Sequence, residues 1–132
     1  MKSFYQKEGV VDTSIDLSDQ SMTVKWLSLS DDKVIADCCL AQLEQVKSGI
    51  NKLYLDISDT QGVPSQNRQD WFANTLFPKF ADNGMKAIFT ILPKSALTKL
   101  ASKKWTKIGA PFNFGMYDVS SIEGAKKLAI QY

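Results

Sequence analysis

The apolar positions of this chain change period several times between its ends. From Gly9 to Asp16 the content is of β type, with Val10, Val11, Thr13 and Ile15. Asp19-Gln20 offers a turn, and beyond it Met22, Val24 and Trp26 alternate with Thr23, Lys25 and Leu27. A period of two belongs to a strand with one buried face, so these segments predict a hairpin. Ser30-Asp31-Asp32 follows, with capping side chains and acids suited to a helix N-terminus. Val34, Ile35, Cys38, Ala41, Leu43 and Val46 then recur at helical spacing, and Gly49 is a stop signal. Leu53-Tyr54-Leu55-Asp56-Ile57 is a short, nearly continuous apolar run of the kind that fills a central strand.

The loop 58–64 breaks the pattern, and Ser65 is placed to cap a helix over 66–81 that carries Trp71, Leu76 and Phe80. Asn83-Gly84 ends it, and Pro78 is expected to kink or shorten it. Ala87 to Leu92 reads as a second buried strand, closed by Pro93. Ser95 opens a helix with Leu97, Leu100, Ala101, Trp105 and Ile108 on one side, and Phe112 to Val119 reads as the last strand. Ser120 and Glu123 have the spacing of a capping box before a final helix bearing Ala125, Leu128 and Ala129. The order ββαβαβαβα predicts an α/β fold. Its core is a five-stranded mixed sheet with about four helices, parallel except for the opening hairpin.

The length, 132 residues, is that of one domain, so residues 1–132 are expected to form one unit with an ordinary core. Histidine is absent, which removes histidine-dependent triads and the usual histidine-containing metal sites. No metal site and no cofactor is expected. The two cysteines, Cys38 and Cys39, are adjacent within a helical pattern, where a disulfide would be strained. They read as small apolar side chains, one of them buried. No signal-like run opens the chain, and no stretch reaches the roughly 20 apolar residues of a membrane span. The expected location is cytoplasmic.

Net charge is +2 but uneven. Residues 1–84 hold seven Lys, one Arg and twelve acids; residues 85–132 hold eight Lys and two acids. Nucleic acid is not an expected partner, because fifteen of the sixteen basic residues are Lys and base readers rely on Arg. No glycine-rich phosphate loop is present, so a nucleotide site is not expected either.

Three segments carry a family resemblance. They are the strand Leu53-Tyr54-Leu55-Asp56-Ile57-Ser58, the helix start Ser65-Gln66-Asn67-Arg68-Gln69-Asp70-Trp71, and the strand-to-helix passage Asp118-Val119-Ser120-Ser121-Ile122-Glu123-Gly124-Ala125. Together they resemble the SpoIIAA-like proteins of the STAS and CRAL-TRIO superfold, small bacterial domains mostly of unassigned function. The resemblance runs from Met22 onward. It implies that a serine at the start of the helix after the Asp-ending strand is phosphorylated and controls partner binding, and Ser65 stands about where that serine would fall. Pro64 replaces the family's acidic residue before the serine, and Asn67-Arg68 stands in place of its Gly-Leu.

Two places are singled out. Asp56, Asp59, Ser65, Asp70 and Trp71 mark a loop-and-helix-start junction at a strand end, where open α/β sheets place functional groups. Lys99, Lys103 and Lys107 are four apart, with Lys104 adjacent, and form a basic helix face toward an anionic surface or acidic partner. A plain cap and solvated charges would account for the same residues. The leading expectation is a non-enzymatic module that binds a protein partner or a second copy of itself. The second is a carrier of a small apolar or lipid-like ligand with the lysine helix at its entrance; the resemblance to lipid-binding relatives implies that Phe112, Phe114 and Met116 would line the pocket if sheet and helices leave a gap.

Overall fold

A computed structural model describes residues 2–62, 64–92 and 114–132. It contains a mixed sheet of six strands: β1 (Gln6–Lys7), β2 (Val11–Asp16), β3 (Ser21–Trp26), β4 (Lys52–Asp56), β5 (Ala87–Ile91) and β6 (Gly115–Val119). The strands lie side by side in chain order. β1, β2 and β3 are antiparallel, and β3 to β6 are parallel. The α/β class and the opening hairpin are as expected. Among the described residues the strand count is six, not five. The extra strand is two exposed polar residues with no periodicity of their own, held by backbone pairing of Gln6 with Asp12 and Lys7 with Val11. Nearby, the Tyr5 amide donates to Thr13 Oγ1 at 2.9 Å.

Helix α1 (Asp32–Lys47) connects β3 to β4. Asp31 caps it by accepting a hydrogen bond from the Val34 amide at 3.2 Å, and Gly49 beyond its end has φ +115°. A residue with a side chain would be strained at that angle, so glycine ends the helix there. The connection from β4 to β5 is α2 (Gln66–Trp71), a π-helical turn (Phe72–Leu76) and α3 (Phe77–Asp82). A regular helix over 66–81 was expected, with a disturbance at Pro78. The chain stays helical to Asp82, and the disturbance lies just before the proline. Pro78 has no N–H, and its ring would crowd the carbonyl of residue 74 in a regular helix. The π-turn absorbs the misfit, with the Phe77 amide donating to the Phe72 carbonyl one residue farther back than α spacing allows.

The last helix, α4 (Ile122–Ala129), is capped by Ser121, whose side chain accepts from the Gly124 amide at 3.1 Å. The expected cap was Ser120 paired with Glu123. Ser121 is the residue with extended backbone, so the helix starts one residue later and Glu123 falls in its first turn. The expected helix around residues 95–108 lies outside the described residues, as do Phe112 and the basic face Lys99, Lys103, Lys104 and Lys107.

Register assigns each strand residue to a face, because neighbouring partners point the same way and alternate along the strand. Val24, Leu55 and Met22, Leu53, Ile88, Met116 form rows on one face. α1 and the broken helix cover this face and contribute Ile35, Leu43, Phe72, Leu76 and Phe80 to a single core cluster. Burying each such aliphatic or aromatic side chain is worth roughly 1.5–3 kcal/mol. The opposite face carries the row Thr23, Tyr54, Phe89, Tyr117, and α4 covers its β4–β6 half with Ala125 and Ala129. On the β2–β3 half of that face stand Asp12, Ser14, Asp16, Thr23 and Lys25, a polar surface such as antiparallel strands leave to water.

Candidate functional site

The junction from Asp56 to Trp71 sits at the C-terminal ends of the parallel strands. Its loop is pinned to the neighbouring β3–α1 loop as a short extension of the sheet. The Leu29 amide donates to the Gln61 carbonyl at 2.9 Å, and the Gln61 amide donates to the Leu27 carbonyl at 3.0 Å. Thr60 Oγ1 donates to the Trp26 carbonyl at 2.6 Å. Gly62 turns with φ +80°, and a Cβ there would lie 2.9 Å from Ser30 Oγ.

The expected site residues are distributed along this surface and do not converge. Asp56 Oδ1 accepts from both the amide and the hydroxyl of Ser58, at 3.0 and 2.6 Å, which fixes the turn that leaves β4. Asp59 is exposed and pairs with Lys25 Nζ at 3.4 Å. Ser65 is an N-cap, its Oγ accepting from the Arg68 amide at 3.1 Å. Asp70 accepts from Gln66 Nε2 at 2.9 Å. Trp71 is half-buried against the core. Each carboxylate is thus engaged within its own loop, helix or adjacent strand end.

Arg68 was not singled out from the sequence, yet it ties the junction together. Its guanidinium donates to both carboxylate oxygens of Asp32, at 2.9 and 2.7 Å, and lies 4.8 Å from the Trp71 ring centre. This fork-to-fork pair joins the first turn of α1 to α2. Its hydrogen bonds hold the Asp32 carboxyl below the usual carboxylate range. Arg68 is the chain's single arginine and stands three residues before a tryptophan, a spacing that would have flagged it.

The second feature lies beneath α1 and the π-turn. A partly enclosed cavity of about 40 Å³ opens between them and the sheet. Its walls include Leu53, Leu55, Ile88, Phe72, Leu76 and Cys39, and Met116 is among the lining residues. Phe114, expected beside Met116, belongs to the same cluster and meets Phe77 edge-on at 6.2 Å. Among the described residues Gln42 is the one amide side chain that lines this space, and it is 3% exposed. Among the described residues its amide makes one hydrogen bond, from Nε2 to Cys38 Sγ at 3.6 Å. Sulfur is a weak acceptor, and among the described residues no buried side-chain nitrogen or oxygen is left without a hydrogen-bond partner. The sequence signal was available: Gln42 follows Ile35 by seven residues and Cys38 by four, so it interrupts the apolar stripe of α1.

Both cysteines are buried, where one was expected, because α1 turns both toward the sheet. Burial pushes the Cys38 thiol up to about 11 and raises that of Cys39 as well. Among the described residues no group of metal-ligating side chains gathers, and no helix is long and apolar enough to cross a membrane. No family model matches the chain, and no curated protein or solved structure matches it.

Proposed function

We propose that this chain is a non-enzymatic interaction module of SpoIIAA or STAS type, and that it meets a protein partner or a second copy of itself through the surface at the strand ends. The observation that supports this is the state of the junction from Asp56 to Trp71. Its polar groups are joined into a preorganised, largely exposed surface, and its carboxylates are not paired with one another as acid–base chemistry would need. Rigid loops on a sheet scaffold lower the ordering cost of association. The resemblance adds Ser65 as the position where phosphorylation would regulate binding. A phosphate there would sit beside the first-turn amides of α2 and near Arg68.

Site-directed photo-crosslinking in the host tests this reading. Crosslinkers at Asp59 and Gln66 are expected to give one dominant adduct, and one at Lys127 on α4 is expected to give none. Equal adducts from all three positions, or none from any, would remove the strand-end surface as an interface. Light scattering on the purified protein separates the two kinds of partner, since a strict monomer eliminates self-association.

A second reading, carriage of a small apolar ligand, is favoured by the cavity beneath α1. Its volume argues against a whole lipid: about 40 Å³ admits roughly three water-sized probes, far below the roughly 300–1,000 Å³ of drug-sized sites.

A further inference from the structure

We infer that the cavity between α1, the π-turn and the sheet is a selective binding site for a small, neutral and mostly apolar molecule carrying one hydrogen-bonding group, which Gln42 recognises. This rests on the second reading above and narrows it. Volume restricts the ligand to a very small molecule, or to the end of a longer one. The lining sets its character, since Leu53, Leu55, Ile88, Phe72 and Leu76 offer no polar partner and no charge that would compensate an ion. Gln42 sets its orientation. Its amide has a second N–H and a carbonyl oxygen beyond the one weak bond to Cys38, so it can donate to or accept from a hydroxyl or amide.

Two features make the site more than a packing flaw. A polar side chain stands on the buried stripe of α1, where an apolar residue would continue the pattern. The facing wall is built on a π-turn, an irregularity that places Phe72 and Leu76 at the cavity.

The test uses 1-propanol and 1-chloropropane, which match in length and differ in the hydrogen-bonding group. Binding is read from the methyl resonances of Ile35, Ile88, Leu53 and Met116 in the full chain. Saturable shifts confined to these methyls are expected, with 1-propanol preferred about fivefold, the factor one modest hydrogen bond supplies. Gln42→Met keeps the side chain's length and is expected to abolish the preference while 1-chloropropane still binds. Gln42→Leu serves the same purpose if that variant folds poorly. Cys39→Leu fills the space and is expected to remove binding of both probes. Equal binding of the two probes, unchanged by Gln42→Met, would overturn the role of Gln42 and leave an unselective apolar site. Absence of saturable shifts with either probe, or shifts indifferent to Cys39→Leu, would overturn the site and the second reading together.

Discussion

On one face of the sheet a rank of rings closes the interface. Tyr54 and Phe89 stack at 5.5 Å, Phe89 and Tyr117 at 5.2 Å, and Tyr132 meets Phe89 edge-on at 6.3 Å. Small residues of α4, Ala125 and Ala129, lie against this rank. On the other face, α1 and the broken helix lie over branched aliphatic side chains, and about 40 Å³ stays unfilled. The first face joins flat rings directly across parallel strands, so each ring lies against the next. The second must fit side chains from two helices onto one sheet, and one of those helices changes register at the π-turn. Tight closure is therefore a property of the smaller interface, and the larger one carries the space in which a ligand would fit.

Removing one ring from each face separates these two kinds of packing. Phe89 is fully buried between two rings, so Phe89→Ala is expected to destabilise by about 3–5 kcal/mol in urea titration. Phe72 already borders a void, and Phe72→Ala is expected at or just below the low end of that range, near 3 kcal/mol. Equal losses would mean that the cavity wall is packed as closely as the aromatic rank, and the contrast would fail.

Adding atoms gives opposite signs on the two faces. A Cβ on Gly115 would stand 2.5 Å from Tyr132 Oη and 2.6 Å from Tyr117 Cε2. Gly115→Ala is therefore expected to cost about 1–3 kcal/mol through overpacking. Cys39→Leu places new atoms in the cavity and is expected to gain about 0.5–1 kcal/mol, read as a rise in the thermal midpoint. A loss at Cys39 comparable to that at Gly115 would show that the cavity cannot take the added volume.

The sequence made the tight face and the loose face unequally legible. Strands β2 to β5 and helix α1 follow from period, caps and Gly49, because local chemistry and the global fold agree there. β1 has no such signal, since backbone pairing alone makes Gln6 and Lys7 a strand. Pro78 announced that the second helix would be disturbed but not where, because relief by a π-turn depends on what the preceding turn packs against. Ser120 and Ser121 are chemically equivalent caps, and only backbone geometry distinguishes them. At the candidate site, Asp56 and Ser65 were legible as a strand end and a cap. The Arg68–Asp32 pair joins residues 36 apart in the chain, a contact no local pattern encodes. Gln42 was visible as a polar break in an apolar stripe, but its meaning depends on a cavity that exists only once the helices are placed.

The smallest expected effects lie in the two seams that bind the outer elements to the sheet, and they differ in the direction of pH. On the cavity side, α2 is tied to α1 by Arg68 and Asp32, and the Asp32 carboxyl is lowered by those hydrogen bonds. A lowered carboxyl gives stability that is present above its unfolded value, about 3.9, and is lost as pH falls through its folded value. On the aromatic side, Tyr117 and Tyr132 share a hydroxyl hydrogen bond. Burial, followed by that bond, raises the Tyr132 hydroxyl to about 12. A raised phenol gives stability that is intact below its unfolded value, about 10, and is lost as pH climbs through 12. Asp32→Asn should therefore flatten the acid limb of a stability–pH curve and leave the alkaline limb alone. Tyr132→Phe should do the reverse. Both changes are expected to be small, because the groups are substantially solvated and screened. If either substitution alters both limbs equally, the seams are coupled through the sheet and the two faces do not behave as separate interfaces.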